Sequence, residues 1–240
     1  GPVVLLAIIS LFMALAVIAT KLIPPLESIE LETPSGVVDQ ILEGLQHAWA
    51  DVAIRIALIQ IFGLAIFFSG AYMVLLPVMI RELYGGGSIG LAGGFGFNLA
   101  GTVLATLVLM RLGKVQHPGR ALTLGMVISC SVLLTFTTTL PTWLFFIVVF
   151  LWGAGGGLIV IMSRSIVQES APETHRARIM SIFSLAMMGG SPIGSLLMGL
   201  IIDEVGIHQA TFFPVIGMVI VGSYLALRTP LWSITSKSSS

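Results

Sequence analysis

Residues 142–166 read TWLFFIVVFLWGAGGGLIVIMSRSI, and the next stretch, 167–178, reads VQESAPETHRAR. The first stretch is almost wholly apolar, and a helix needs about 20 such residues to cross a bilayer. The second stretch is polar and ends on Arg176 and Arg178. Within it, Ser170 and Glu173 have the spacing of a capping box, which indicates the start of another helix. The pattern predicts a membrane-spanning helix, a short charged loop and a second helix.

The whole chain alternates between apolar runs and polar connections. Of its 240 residues, 56% are hydrophobic and 9% are charged, whereas a soluble domain carries about 25% charged residues. We therefore expect an all-α integral membrane protein with seven transmembrane helices, at roughly 3–23, 54–82, 88–112, 121–140, 142–166, 177–202 and 207–227. Short connections between most of these spans predict antiparallel neighbouring helices.

Four regions follow from these spans: a first helix at 1–23, a linker at 24–53, a six-helix bundle at 54–228 and a tail at 229–240. Apolar residues recur at helical spacing in the second half of the linker, which predicts an amphipathic helix. This helix could lie on the membrane surface or pack on the protein. Its acidic polar face favours packing, because surface-bound helices carry basic faces. The Ser-rich tail is expected to be disordered.

The basic residues gather on one side of the membrane. Of the Lys and Arg residues, only Arg81 falls on the other side, and the rest lie in or beside the first, third and fifth connections and after the last span. Cytoplasmic loops attract Lys and Arg, so this side is expected to be the cytoplasm, with the C-terminus inside. No basic patch lies outside these loops, and the net charge is +0, so nucleic acid is not an expected partner.

Several motifs resemble the major facilitator transporters. The run from Gln168 through Pro172 to Arg176-Ala177-Arg178 resembles their loop between helices 10 and 11, and the run Gly190–Gly199 resembles helix 11. The closest resemblance is to the branch of enterobactin exporters and macrolide efflux proteins, which also has motifs like Glu43-Gly44-Leu45 before helix 7, Leu76-Pro77 within it and Arg111-Leu112-Gly113-Lys114 after helix 8. Met110, Thr106 and Ala177 depart from the family pattern.

The resemblance implies helices 6 to 12 of a twelve-helix fold in the inner membrane of a bacterium. The chain begins Gly1-Pro2 without an initiator Met, so we expect a fragment whose partner is the N-terminal transmembrane half. The other expected partners are the lipid bilayer and a small-molecule substrate. No cofactor is expected, because the single Cys130 lies inside a span and no metal-ligand spacing occurs.

Uncharged polar and aromatic side chains at membrane depth are candidates for substrate contact. Helices 7 and 10 line the central cavity of the resembled fold. The candidate substrate-binding residues are Gln60, Phe67, Tyr72, Asn98 and Trp152. The alternative for each is packing or hydrogen bonding between helices, which membrane proteins commonly use. Uncharged groups of this kind favour an apolar or amphipathic substrate.

Glycines and arginines supply two further hypotheses. Interrupted spans mark binding sites or moving gates in transporters, so Gly155, Gly156, Gly190 and Pro192 are candidate hinges, with close helix packing as the alternative. Close packing is also predicted for the third span, where small residues recur every four positions from Gly90 to Thr106. The candidate gate residues are Arg111, Lys114, Arg164, Arg176 and Arg178, whose alternative role is to orient the protein in the membrane.

No Asp or Glu lies in the middle of a span, although intramembrane proton relays use such groups. We expect the coupling charge to lie in the N-terminal half, or else at Asp203 or Glu82 near the span ends. The expected function is secondary active transport that exports small amphipathic molecules, such as drugs, macrolides or siderophores, by alternating access. Uptake by a permease is the alternative.

Two other classes are less favoured. An intramembrane enzyme would need Ser191 and His208 within hydrogen-bond reach, and a retinal-type receptor would need a Lys inside a span. The protein is therefore not expected to be an enzyme.

Overall fold

The computed structural model describes residues 2–21, 45–113 and 115–229. The chain divides into two compact units, Gly1–Val37 and Val38–Ser240. The described part of the first unit is an apolar helix, α1 (Pro2–Lys21). Residues 230–240 of the predicted tail, Lys114 and residues 37–44 of the predicted linker helix lie outside the described residues. Residues 45–50 of the linker are helical. Ala48 is fully buried, whereas Leu45 and Trp49 are exposed, so packing of this helix against the protein stays a prediction.

The described part of the second unit contains six helices long and apolar enough to cross a membrane, which confirms the predicted all-α membrane fold. They are α2 (Val52–Glu82), α3 (Ser88–Leu112), α4 (Pro118–Thr135), α5 (Thr142–Ser170), α6 (Arg176–Val205) and α7 (Ile207–Arg228). The fourth span was predicted too far along the chain. Helix α4 ends at Thr135, and the hydroxyls of Thr137 and Thr138 bond back to backbone carbonyls in the turn that follows.

Helices α2 and α5 form the centre of the bundle. Helix α5 packs along α3 and α4 and also against α2, while α2 contacts α6 and α7. The core contains large side chains from both central helices, among them Ile61, Met79, Phe145 and Ile159. Helices α3 and α6 lie at the edges, and the buried residues of α3 are only Gly94 and Gly101.

Helix α2 changes geometry in its middle. Two π-helical segments, Ala65–Ser69 and Ala71–Leu75, flank Gly70. Pro77 explains the second segment, because it has no N–H to offer the carbonyl of Met73. The N–H of Leu76 bonds instead to the carbonyl of Ala71, five residues back, which is the π-helical pattern.

The glycine-rich parts of α5 and α6 show no such change. Both helices remain α-helical through Gly155, Gly156, Gly190 and Pro192, so the interruption expected there is not observed. The hinge role of these residues stays a prediction.

Hydrogen bonds join the connections at the end of the bundle that holds Arg81. The N–H of Leu140 donates to the hydroxyl of Tyr84 at 3.1 Å. The ring Nδ1–H of His208 donates to the carbonyl of Phe136 at 3.0 Å. Between α6 and α7, Gly206 has a φ of 82°, a conformation that favours glycine. These contacts fix the helix ends around the bundle interior.

Candidate functional site

A cavity of about 290 Å³ opens between α2, α3 and α5, with one residue from α6 at its edge. Its wall is mostly apolar and contains no Asp, Glu, Lys, Arg or His. The lining residues are Leu64, Ala65, Phe68, Ser69, Tyr72, Asn98, Thr102, Trp152, Gly153, Gly156, Gly157, Val160, Ile161 and Met187. Small-molecule sites typically combine such an apolar wall with a few polar groups.

Helix α2 contributes five side chains to the cavity wall. Leu64, Phe68 and Tyr72 are spaced by four residues, and so are Ala65 and Ser69. Residues four apart lie on the same face of a helix. The part of the wall that α2 forms is therefore one face of that helix.

Aromatic rings form the deepest part of this wall. The ring of Tyr72 meets Phe95 edge to face at 5.2 Å and Trp152 at 6.1 Å between centroids. Trp152 is 3% exposed and also contacts Phe136. Edge-to-face pairs at these distances are favourable and restrict ring orientation. Tyr72 and Trp152 are thus held rigidly at the cavity.

Helix α3 approaches α5 through small residues, as its four-residue pattern predicted. A Cβ on Gly153 would overlap the carbonyl oxygen of Asn98, and one on Gly101 would overlap that of Phe150. The amide of Asn98 donates to the carbonyl of Val149 at 3.3 Å, and the hydroxyl of Thr102 donates to that of Gly153 at 3.0 Å. Asn98 and Thr102 therefore lie at the cavity and also tie the two helices together.

Two of the predicted substrate residues lie elsewhere. Gln60 is 1% exposed and lies one turn before Leu64, outside the cavity wall. Phe67 packs edge to face on Phe213 at 5.3 Å, and its ring fills the space above Gly217. The prediction placed Phe67 and Tyr72 in one cavity. The two residues are five positions apart on α2, and Phe67 faces α7 instead.

Helix α6 meets α2 through close backbone contact. A Cβ on Gly194 would overlap the carbonyl oxygen of Ile66, and one on Gly190 would lie 2.8 Å from the Cβ of Ala65. Gly155 similarly faces Ser129 of α4, while Gly156 opens on the cavity with no neighbour within 4 Å. Gly155 and Gly190 are therefore packing positions here.

Sequence reasoning did not select Phe68, Ser69, Thr102 or Met187 as site residues. Phe68 and Ser69 could have been found from their four-residue and three-residue spacing to Tyr72. Thr102 belongs to the small-residue pattern of α3, one turn after Asn98. Met187 carries no distinguishing sequence signal.

The four predicted gate residues that the structure describes, all of them arginines, lie at one end of the bundle, which we call the basic end. Arg111, Arg164 and Arg176 are exposed and form no ion pair within the described residues, and Arg178 is half-buried. Nearby, the rings of His47 and His175 stack at 4.2 Å. That contact joins helical residues 45–50 to the turn before α6.

The enzyme alternative finds no support in this arrangement. The hydroxyl of Ser191 pairs with that of Ser69, and the ring of His208 bonds to Phe136 and Thr139. Ser191 and His208 therefore do not form a nucleophile–base pair.

Six apolar helices in the described part of the chain, with an uncharged cavity among four of them, define a polytopic membrane protein. Comparison with known families matches residues 64–238 to the Major Facilitator Superfamily, and the chain belongs to that superfamily. Its members are membrane transporters rather than enzymes. No curated protein matches the chain.

Proposed function

We propose that this chain forms one half of a secondary active transporter and that its cavity is part of the substrate route. The observation that carries this proposal is the cavity of about 290 Å³ lined by Tyr72, Asn98 and Trp152. Its apolar wall and uncharged polar groups suit a small amphipathic molecule. Alternating access would expose the cavity to each side of the membrane in turn.

The partner that we propose is a second transmembrane half, packed against α3 and α6. These two helices border the cavity at Asn98 and Met187 and are the least buried of the six. On α6, Met188 is 75% exposed and lies beside Gly189, where an added Cβ would point into open space. A second set of helices on this face would close the cavity and cover these small and flexible residues.

The charge that couples transport to an ion gradient is proposed to lie in that second half. No carboxylate or histidine lines the cavity in the described part of the chain. Glu82, Asp203 and Glu204 lie near the opposite end from the basic end and are remote alternatives. The present half would then determine which substrates bind, and the second half would determine how transport is driven.

The basic end is proposed to face the cytoplasm, and its arginines to act as a gate. Lys and Arg favour the cytoplasmic side. Arg111, Arg164 and Arg176 are exposed cations that acidic groups of the second half could pair with in one conformation. The bacterial inner membrane and the direction of export are carried over from the resembled exporters, and uptake is the second candidate.

Radiolabelled erythromycin accumulation in cells that express the complete transporter tests these statements. Export predicts less label in the cells, uptake predicts more, and Trp152→Ala is expected to abolish either difference. Trp143→Ala is the matched control, because Trp143 lies on the same helix, is exposed and lies outside the cavity wall. If expression of the transporter changes the accumulation of neither erythromycin nor any of a panel of other amphiphiles, the transport proposal for this substrate class fails.

A further inference from the structure

Three polar groups at the cavity have no hydrogen-bond partner among the described residues. They are the hydroxyl of Tyr72, the side-chain oxygen of Asn98 and the indole N–H of Trp152. The other polar side chains of the wall are occupied: Ser69 pairs with Ser191, and Thr102 donates to Gly153. The three free groups belong to neighbouring side chains, because Tyr72 contacts both Trp152 and Phe95, and Phe95 lies one turn before Asn98.

Their chemistry is complementary. An indole N–H only donates, an amide oxygen only accepts, and a phenolic hydroxyl does both. In an apolar cavity each group gains most from a ligand atom of the opposite kind. The carbonyl of Val149 can only accept a hydrogen bond, so the amide nitrogen of Asn98 faces it and the amide oxygen points away from it.

Charge is the second selective factor. An ionic group that enters this cavity leaves water and finds no counter-ion on the wall that this chain forms, which is costly. A neutral ring system finds aromatic faces and edges at Phe68, Tyr72 and Trp152.

We infer that the cavity selects an uncharged molecule with a flat apolar body that carries a hydrogen-bond donor and an acceptor. The ligand's donor bonds to Asn98 or Tyr72, and its acceptor receives the Trp152 N–H. This inference rests on the proposed function, since it takes the cavity as the substrate route. Asn98 and Tyr72 are specificity-determining residues in this account.

Two coumarins test the inference on the complete transporter in lipid nanodiscs at pH 6. Neutral 7-hydroxycoumarin offers a donor and an acceptor, and 7-methoxycoumarin lacks the donor. Equilibrium dialysis, with empty nanodiscs subtracted, gives the ratio of their dissociation constants. One added hydrogen bond predicts about three- to tenfold tighter binding of the hydroxyl compound. Coumarin-3-carboxylate, an anion, is expected to bind more weakly than both.

The variants identify the groups responsible. Tyr72→Phe keeps the ring contacts, and Asn98→Leu keeps the approximate volume; the ratio is expected to fall toward one in at least one of them. Tyr84→Phe makes the same chemical change outside the cavity and keeps the wild-type ratio.

The inference is overturned if the wild-type protein binds both neutral coumarins equally tightly or binds neither of them. A ratio that neither cavity variant changes, or tighter binding of the anion, also overturns it. Failure of the proposed function alone gives a different pair of results: the coumarin preference holds, but the complete transporter moves no substrate.

Discussion

The hydroxyl oxygens of Ser69 and Ser191 lie 2.9 Å apart, in a hydrogen bond between α2 and α6. The bond lies where the two backbones nearly touch, because Gly70 of α2 faces Gly194 of α6. Ser69 also lines the cavity. The cavity wall on α2 is therefore held in place by its contact with α6.

Gly194→Ala is expected to destabilise the chain by about 1–3 kcal/mol or more, because overpacking forces backbone shifts. The new methyl group would overlap the carbonyl oxygen of Ile66. Gly189→Ala is the matched control on the same helix, since nothing lies within 4 Å of its added Cβ. The control should be neutral or stabilising by up to about 1 kcal/mol. Thermal unfolding in detergent measures both, and equal midpoints would contradict the proposed contact.

A second glycine pair separates packing from cavity space on α5. Gly153→Ala should lower the unfolding midpoint, because its Cβ would overlap the Asn98 carbonyl. Gly156→Ala should leave the midpoint nearly unchanged, because Gly156 opens on the cavity. Gly156→Phe would fill the cavity instead and is expected to reduce transport by the complete transporter without unfolding the chain. Destabilisation by Gly156→Ala comparable to that by Gly153→Ala would show that α5 packs differently.

The revised position of Phe67 gives a third prediction. Phe67→Ala should destabilise the chain, by less than the roughly 3–5 kcal/mol of a fully buried Phe because the residue is half-buried. Gly217→Ala should cost less in the Phe67→Ala background than in the wild type, since the ring that its methyl group would meet is gone. Additive effects in this double-mutant cycle would mean that the two residues are not coupled. Both variants should keep the coumarin preference.

The membrane spans were predictable because hydropathy and length alone decide whether a helix can cross a bilayer. Polar and aromatic residues at membrane depth, together with the family resemblance, selected Tyr72, Asn98 and Trp152, which do line one cavity; their contact with substrate stays a prediction. Gln60 and Phe67 share α2 with Tyr72 but lie outside this wall. Which neighbouring helix each face of α2 meets is set by tertiary packing, and the pattern along one helix does not reveal it.

Charge reversal at the basic end tests the proposed gate. Arg164→Glu and Arg176→Glu should shift the balance between the two access states of the complete transporter, because each puts a carboxylate opposite the acidic group proposed to pair with the arginine. Arg228→Glu applies the same charge change at the end of α7, outside the cavity wall, and should leave the balance unaltered. The readout is the rate at which a thiol in the cavity reacts from each side. A shift in the control variant equal to that of Arg176→Glu would reduce the arginines to topology markers.

The most direct test of the central claim needs no known substrate. Gly156→Cys places a thiol at the cavity, and Cys130→Ser removes the chain's single native cysteine. The complete transporter carrying both changes is treated with a membrane-impermeant maleimide in right-side-out and in inside-out vesicles. Alternating access through this cavity predicts labelling of Cys at position 156 in both preparations. Labelling in neither preparation would contradict the claim that the cavity is part of a transport route.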